Sequence, residues 1–284
     1  MTYDDLRIRV NSSEFPAATR VSVNYPTQIS QKRNLGANIS EGDQFRFDGP
    51  SEVKLSIDFL LNGDAGGFFS NNDGGFGFLF DSISAKSNNS GEREYSIGVG
   101  GLNYQKCLLD DYSITVDPFG PVRGSVNFTS YDAVRGGNIS ANSIVGDDPS
   151  GDSIIHGYNC EISGANEVVS ADVVSNLSYS KTFGRTPIYN LGDVNASSFL
   201  IDSIEAEMKM TSTGLESLLG VSGNEVVNDI VVEMESSEGG TIRANASNDF
   251  KITIPSGSRV VAQDFGVQGG DSVATNVTIK NVIL

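Results

Sequence analysis

The sequence predicts an all-β protein, and its composition and patterning give three reasons for this. Its 32 glycines, together with many Asn, Ser and Asp residues, favour turns over helices. The apolar residues are largely Val, Ile and Phe, which are enriched in strands. Several stretches place apolar residues at every second position, as a strand with one buried face requires. The 284 residues, 38% of them hydrophobic, are enough for one large or two ordinary domains.

The predicted strands follow one another through both halves of the chain. Their apolar faces are Val53, Leu55, Ile57 and Phe59 in "VKLSIDF"; Tyr112, Ile114 and Val116 in "DYSITVD"; Val126 and Phe128 in "GSVNFTSYD"; and Ile204, Ala206, Met208 and Met210 in "SIEAEMKM". The final stretch, "NVTIKNVIL", has the same character. A Pro-Phe-Gly-Pro turn at 118–121 separates the second strand from the third and predicts a hairpin there.

One segment predicts a helix instead. "STGLESLLGVSG", at 212–223, has three leucines at helical spacing, a polar start and a glycine-containing end. Two other stretches are typical of loops. The first, 62–77, is dense in Gly, Asn and Asp, and the second, 135–153, has the composition of a linker and lies near the midpoint of the chain.

The two halves of the chain echo each other. At an offset of 156, "VSVNYPTQISQKRNLG" overlies "LSYSKTFGRTPIYNLG" without a gap, and both end on Asn-Leu-Gly. The strand at Val53 matches the strand at Ile204 at offset 151, and "FGFLFDSI" resembles "NDIVVEME" at offset 152. "CLLDDYSI" overlies "VVAQDFGV" with Asp111 on Asp264, and "VNF" overlies "VTI".

Chance alternation matches any one of these pairs, but it matches the order and spacing of all of them much less readily. The sequence therefore predicts a tandem duplication of a β-rich unit. The predicted boundaries are a first repeat at 1–140, a linker at 141–155 and a second repeat at 156–284.

The net charge of −17 comes from 36 acidic and 19 basic residues. Such a surface repels nucleic acid and anionic membranes, whose binding needs clustered Lys and Arg, although the same charge also serves solubility alone. No signal peptide is visible in "MTYDDLRIRV", and no stretch approaches the roughly 20 apolar residues of a membrane helix. Two cysteines do not make a disulfide scaffold, and a single histidine argues against a zinc site. No cofactor or metal is predicted.

The order of features in each half resembles the tail tube (major tail) proteins of long-tailed bacteriophages. The resemblance lies in the closing hairpin "DDYSITVDPFGPVRGSVNFTSYD" and in "FGRTPIYNLG", which looks like the segment before the central strands of such proteins. It covers most of both halves. It implies β-sandwich or barrel-like units with a flanking helix, which associate side by side around a channel in rings of six that stack into a tube.

A chain with two such units would close a pseudo-hexameric ring as a homotrimer. The resemblance implies further copies, other tail proteins and passing genomic DNA as partners, without specific DNA binding and without a membrane. It implies a place in the virion tail, assembled in the host cytoplasm. The halves are not equivalent, because the first carries the insertion at 62–77 where the second has its predicted helix.

One loop within that insertion is the candidate contact between stacked rings. It comprises Gly67, Phe68, Phe69, Asn71, Asn72 and Asp73. Buried aromatic side chains are effective interface anchors, which favours this interpretation. The Asn, Asp and Gly of this loop vaguely resemble a calcium loop, but the EF-hand pattern is absent, so an exposed loop is the preferred interpretation.

No enzyme is predicted. Glu205 and Glu207 share one face of a strand, and a glycosidase needs two carboxylates roughly 5 to 10 Å apart. The other face of that strand is apolar, so the acidic face is most simply a solvated one. His156 and Cys160 suggest a nucleophile couple, but no third, orienting group is identifiable. The sequence contains no phosphate loop and no dinucleotide fingerprint.

The leading hypothesis is a virion structural protein, a tail tube subunit that self-assembles into stacked rings forming the channel for DNA. A hub or terminator ring with the same fold is a close variant. The alternative is a two-domain β-sandwich adhesin or fibre protein that binds glycans or a receptor. Its support is the density of glycosylation sequons and Gly/Asn-rich loops, while the lack of Trp weakens carbohydrate binding. A hydrolase comes third.

Overall fold

The computed structural model describes seventeen stretches of the chain. They are residues 8–10, 13–15, 17–25, 29–31, 46–48, 52–61, 94–100, 102–131, 135–136, 154–164, 174–191, 195–213, 225–234, 237–238, 241–242, 250–266 and 274–283.

Strands make up most of these residues. The first half contains β1 (Ile8–Val10), β2 (Ser13–Glu14), β3 (Ala18–Asn24), β4 (Ile29–Gln31), β5 (Arg46–Asp48), β6 (Val53–Leu60), β7 (Tyr95–Val99), β8 (Leu102–Val116), β9 (Arg123–Ser130) and β10 (Arg135–Gly136). The second half contains β11 (Cys160–Ser163), β12 (Val174–Ile188), β13 (Ser198–Thr213), β14 (Ile230–Met234), β15 (Ser237–Glu238), β16 (Thr241–Ile242), β17 (Phe250–Ile254), β18 (Arg259–Gly266) and β19 (Ala274–Ile283). One turn of 3-10 helix at Gly157–Asn159 precedes β11. The predicted all-β class is confirmed.

Twelve of these strands form one antiparallel sheet that runs through both halves. The branch point of this sheet is β8, which pairs with β9 along one edge. Along its other edge it pairs with β7 near its start and with β12 near its end. Three further strands, β11, β14 and β17, form a separate small sheet.

Four neighbouring strands occur in the same order in each half. The first half has β3-β6-β9-β8, and the second has β12-β13-β19-β18. The register corresponds as well. Val21 faces Ile57 in the first set, and the residues 156 and 153 positions later, Leu177 and Met210, face each other in the second.

Two β-bulges of the first half recur at the corresponding positions of the second half. The first is at Thr19 in β3, which corresponds to Ser175 in β12, and each of these residues interrupts the ladder to the next strand. The Thr19 hydroxyl donates to the backbone carbonyl of Asp58 at 3.1 Å, and the Ser175 hydroxyl donates to that of Thr211 at 3.2 Å. An extra residue in a strand shifts every later pairing, so matching bulges fix the correspondence of the halves more firmly than alternation does.

The second recurring bulge lies in the closing hairpin of each half. Asp110 interrupts the β8–β9 ladder, and Val261, 151 residues later, interrupts the β18–β19 ladder. These ladders correct two of the sequence alignments. Val53 corresponds to Ala206 rather than to Ile204, and Asp111 corresponds to Ala262 rather than to Asp264.

Each half also has a two-stranded arm with the same register. In the second half, β12 and β13 stay paired beyond the sheet, and we call residues 183–188 with 198–203 the second arm. In the first half, β4 pairs with β5, and we call this pair the first arm. Ile29 faces Asp48 in the first arm, as Arg185 faces Ile201 in the second. The Asn-Leu-Gly echo falls between the two strands of each arm in the chain.

One hydrophobic cluster contains most of the buried residues of both halves. It includes the apolar faces predicted for the strands at 53–59, 112–116 and 126–128, and it extends to β14, β17 and β19. The rings of Tyr112 and Tyr179 lie 5.9 Å apart across the junction of β8 with β12. Apolar burial therefore continues from one half to the other.

The predicted helix and the predicted linker lie only partly within the described residues. Of the predicted helix, 212 and 213 belong to β13, and 214–223 lie outside the described residues. Ile155, at the end of the predicted linker, is fully buried and its N–H donates to the carbonyl of Leu61 at 2.9 Å.

Candidate functional site

The junction between the two halves is the best-defined candidate site. Strand β12 of the second half pairs with β8 of the first, from Leu177 opposite Val116 to Thr182 opposite Asp111. Leu177 and Tyr179 on the inner face are almost completely buried. This edge-to-edge pairing joins the four-stranded set of one half to that of the other.

The second arm lies over the outer face of the first half, where it covers a small apolar cluster. Leu108 and Tyr131 of the first half pack against Ala196, with Tyr189 and Phe199 beside them. The rings of Tyr131 and Phe199 have their centroids 4.7 Å apart. The cluster is separate from the main core, so the arm gives the junction a second apolar layer.

An ion pair holds the second arm to the bulge of the first half. Arg185 Nη1 donates to Asp110 Oδ1 at 2.9 Å, and Arg185 Nη2 donates to the carbonyl of Leu109. The Arg185 side chain is only 4% exposed. Burial raises the pKa of Asp110 above its usual value, although the Thr129 hydroxyl and the Arg185 guanidinium oppose that shift. The bulge itself brings the Asp110 carboxylate to this position, because it adds the residue that is left out of the ladder.

A second polar contact lies nearby. The Tyr189 hydroxyl donates to Glu52 Oε1 at 2.8 Å. Burial, together with the carboxylate of Glu52, raises the pKa of Tyr189, so this hydroxyl remains a donor at neutral pH.

The counterparts of this junction lie at two of the ends of the branched sheet, β3 and β18, and no other described strand pairs along them. Among the described strands, β3 pairs only with β6, and β18 pairs with β19 and otherwise only bridges to Glu225 at its first residue. Val261 and Val282 correspond to Asp110 and Tyr131, and they are 47% and 48% exposed. Each of these two ends therefore has the form of one side of the internal junction.

The residues singled out from the sequence do not gather at this site. Gly67, Phe68, Phe69, Asn71, Asn72 and Asp73, the candidate inter-ring loop, lie outside the described residues. Glu205 and Glu207 lie in β13, and Glu207 Oε1 and Oε2 form ion pairs with Lys209 at 2.7 Å and Lys280 at 2.6 Å. Burial acts to raise the pKa of Glu207, but the two ammonium groups outweigh it and lower the pKa.

His156 and Cys160 do not form a nucleophile couple. The Cys160 thiol donates to the backbone carbonyl of His156 at 3.8 Å, and the His156 ring stacks on Tyr158 with 5.4 Å between centroids. Burial raises the pKa of Cys160 to about 12. The thiol is therefore protonated at neutral pH, whereas a nucleophile needs the thiolate.

The buried thiol of Cys107 gives a prediction about alkaline pH. Cys107 is fully buried, and this burial raises its pKa from 9.0 to about 12. The folded state keeps the proton that the unfolded state loses above pH 9, so the free energy of unfolding should fall between pH 9 and 12. Urea unfolding at pH 8, 9 and 10 would measure this, and Cys107→Ala should reduce the fall. Rapid alkylation of native Cys107 at pH 8 would contradict the burial.

No protein-family model matches the chain, and no curated protein matches it. Within the described residues, no three His, Cys, Asp or Glu side chains are grouped so as to hold a metal ion. In the same residues, no helix has the length and apolar character that crossing a membrane requires.

The sequence did not single out Asp110, Arg185 or Val261 as site residues. The signal that would have found them is the repeat itself, which pairs positions of one half with positions of the other. Only the bulges and the ladder partners make that pairing unambiguous, because alternating strands match equally well when shifted by two residues.

Proposed function

We propose that this chain is a virion structural protein, a tail tube subunit that self-assembles into stacked rings around a channel for DNA. The observation that carries the proposal is that each half has the same four-stranded order, and that the halves join side by side through strand edges. Two of the free edges among the described strands, those of β3 and β18, correspond to the two edges that meet inside the chain. Such edges are templates for pairing with another chain.

A head-to-tail arrangement of this kind uses two different surfaces on every copy. Interfaces of that type produce closed rings when the rotation between copies closes, and open filaments when it does not. Three copies would set six four-stranded units around one axis, which is the proposed pseudo-hexameric ring. The proposed partners are therefore further copies of the chain and other tail proteins, in the tail of a virion assembled in the host cytoplasm.

Exposed apolar side chains on the second arm support further contacts, including contacts between rings. Ile188 and Leu200 are 46% and 53% exposed, and Leu191 is fully exposed. These residues lie at or near the end of the arm, beyond the part of β12 that pairs with β8. The net charge of −17 suits a channel from which DNA phosphates are repelled rather than bound.

Self-association is the first test of this function. The purified chain should form trimeric rings or stacked tubes with a central bore, seen by light scattering and negative-stain microscopy. We define the half-assembly concentration as the protein concentration at which half of the chains are assembled. Because copies with a charge of −17 repel one another, raising NaCl from about 0.05 M to about 1 M should lower this concentration by about tenfold. A compact monomer at every protein and salt concentration would contradict the proposal and favour a monomeric adhesin, which a glycan screen would then examine.

A further inference from the structure

We infer that β18 of one copy pairs with β3 of the next copy in the register of the internal β8–β12 junction, with the first arm of that next copy lying over Val261 and Val282. The partner is a second copy of this chain. The inference rests on the proposed function and assigns it a specific interface.

The free edges have the burial expected of an interface that is missing its other side. Leu177 and Tyr179 on the inner face of β12 are 2% and 1% exposed, because β8 lies beside them. The corresponding residues of β3, Val21 and Val23, pack against the same core but are only partly buried. A strand laid against β3 would bury them further, as β8 buries β12.

The internal ladder gives the register of the external one. Ser180 faces Ser113 inside the chain, and the corresponding residues are Asn24 in β3 and Asp264 in β18. Asn24 and Asp264 are both exposed, so neither position is occupied by another part of the described chain. The bridge between Glu225 and Arg259 occupies only the start of β18 and leaves the paired segment accessible.

The strongest support is a matched change of chemistry at the arm contact. Inside the chain, Arg185 of the second arm meets Asp110 of the bulge. The residues at the corresponding positions are Ile29 in the first arm and Val261 in the second bulge. In the proposed contact, an apolar pair would take the place of the charged pair, so complementarity would be kept although both residues differ. Val282, in place of Tyr131, is likewise apolar and exposed.

A disulfide trap tests the register. In a Cys160→Ser background, Asn24→Cys combined with Asp264→Cys should oxidise to reducible multimers. Within one copy the two positions are separated by seven strand spacings along the sheet, about 34 Å at 4.8 Å each, so the expected bond joins different copies. The matched control combines Arg20→Cys with Asp264→Cys, four residues or about 13 Å out of register along β3.

The expected result is at least about tenfold more cross-linked chain for the in-register pair than for the control, since a disulfide needs Cα atoms within about 7 Å. Equal cross-linking of both pairs, or none of either in assembled protein, would overturn the proposed register.

An exchange of charges tests the arm contact. Val261→Asp alone and Ile29→Arg alone should each raise the half-assembly concentration by about tenfold or more, because each leaves a charge facing an apolar partner. Together they recreate the pair formed by Arg185 and Asp110, and the half-assembly concentration should return to within about threefold of the wild type. Leu102→Asp is the matched control, since Leu102 is 42% exposed on a strand that is paired along both edges.

The outcomes separate this interface from the proposed function. Rings that form normally in every variant and fail to cross-link would refute the interface and leave the function in place. Cross-linked open chains without rings would support the interface and refute the ring. Absence of association under all conditions would refute both. Thermal unfolding of each variant at low concentration establishes that the chain is folded.

Discussion

Replacing Arg185 by Ile is expected to lower the free energy of unfolding by about 3 kcal/mol, because the change removes one partner of a buried ion pair. The Asp110 carboxylate would remain, 30% exposed, without the guanidinium charge that offsets the effect of burial on its ionised form. Arg185 also donates to the carbonyl of Leu109, which would lose that donor. Urea unfolding at a protein concentration below assembly measures the change.

Adding Asp110→Val to Arg185→Ile should restore most of the lost stability, to within about 1 kcal/mol of the wild type. Replacing a buried ion pair by apolar residues of suitable size is often neutral or stabilising. The chain itself has such residues at the corresponding positions. Ile29 of the first half corresponds to Arg185, and Val261 of the second half corresponds to Asp110. Lys209→Ala, which removes an ammonium that is 60% exposed, should cost less than about 1 kcal/mol. A double variant no more stable than Arg185→Ile would show that the pair has a role beyond mutual neutralisation.

Gly124→Ala is the second change expected to destabilise the fold strongly, by about 3 kcal/mol or more. Gly124 faces Phe59 across the β6–β9 ladder. A Cβ at Gly124 would lie 2.2 to 2.7 Å from atoms of the Phe59 ring, and that ring is 1% exposed. Because a buried ring has little room to move, the clash would be relieved only by shifting strands.

Phe59→Ala should remove the clash while leaving a cavity, so it would cost about 3–5 kcal/mol alone and less when Gly124→Ala is present. The second half supports this coupling, because the corresponding positions hold Ser212 and Thr275, which also face each other and are fully buried. Gly98→Ala is the control, since its nearest non-neighbour atom would be 3.6 Å away, and we expect it to change stability by less than about 1 kcal/mol. Additive losses in the double variant would contradict a direct steric coupling of the two positions.

Much of the fold was predictable from local pattern. The buried faces at 53–59, 112–116 and 126–128 follow from alternation alone, and the offset of 156 is the one that the ladders give for β3 and β12. The offset chosen for the following strand was wrong by two residues. Alternation has a period of two, so a shift of two keeps every apolar residue on the same face and leaves no trace in the sequence.

The candidate site was less predictable than the fold. Arg185 and Asp110 are 75 residues apart in the chain and meet only because β12 pairs with β8 and the bulge adds a residue. Neither pairing of distant strands nor the position of a bulge has a strong local signature. The exposed Val261 likewise looks like any strand residue until its counterpart is known.

If the first arm contacts Val261 of another copy as we propose, the two arm contacts differ in chemistry, and this difference has a consequence for the fidelity of assembly. If the arms exchanged places, the Arg185 cation would face Val261 and the Asp110 carboxylate would face Ile29, and each would be desolvated alone. Each wrong combination would be destabilised by the free energy of desolvating a charge that has no partner. Interfaces that discriminate between similar partners use the same effect. A duplicated chain that kept identical contacts would be open to exchange of its halves between molecules. With the proposed contacts, which differ in chemistry, each arm would bind stably to only one of the two bulge surfaces.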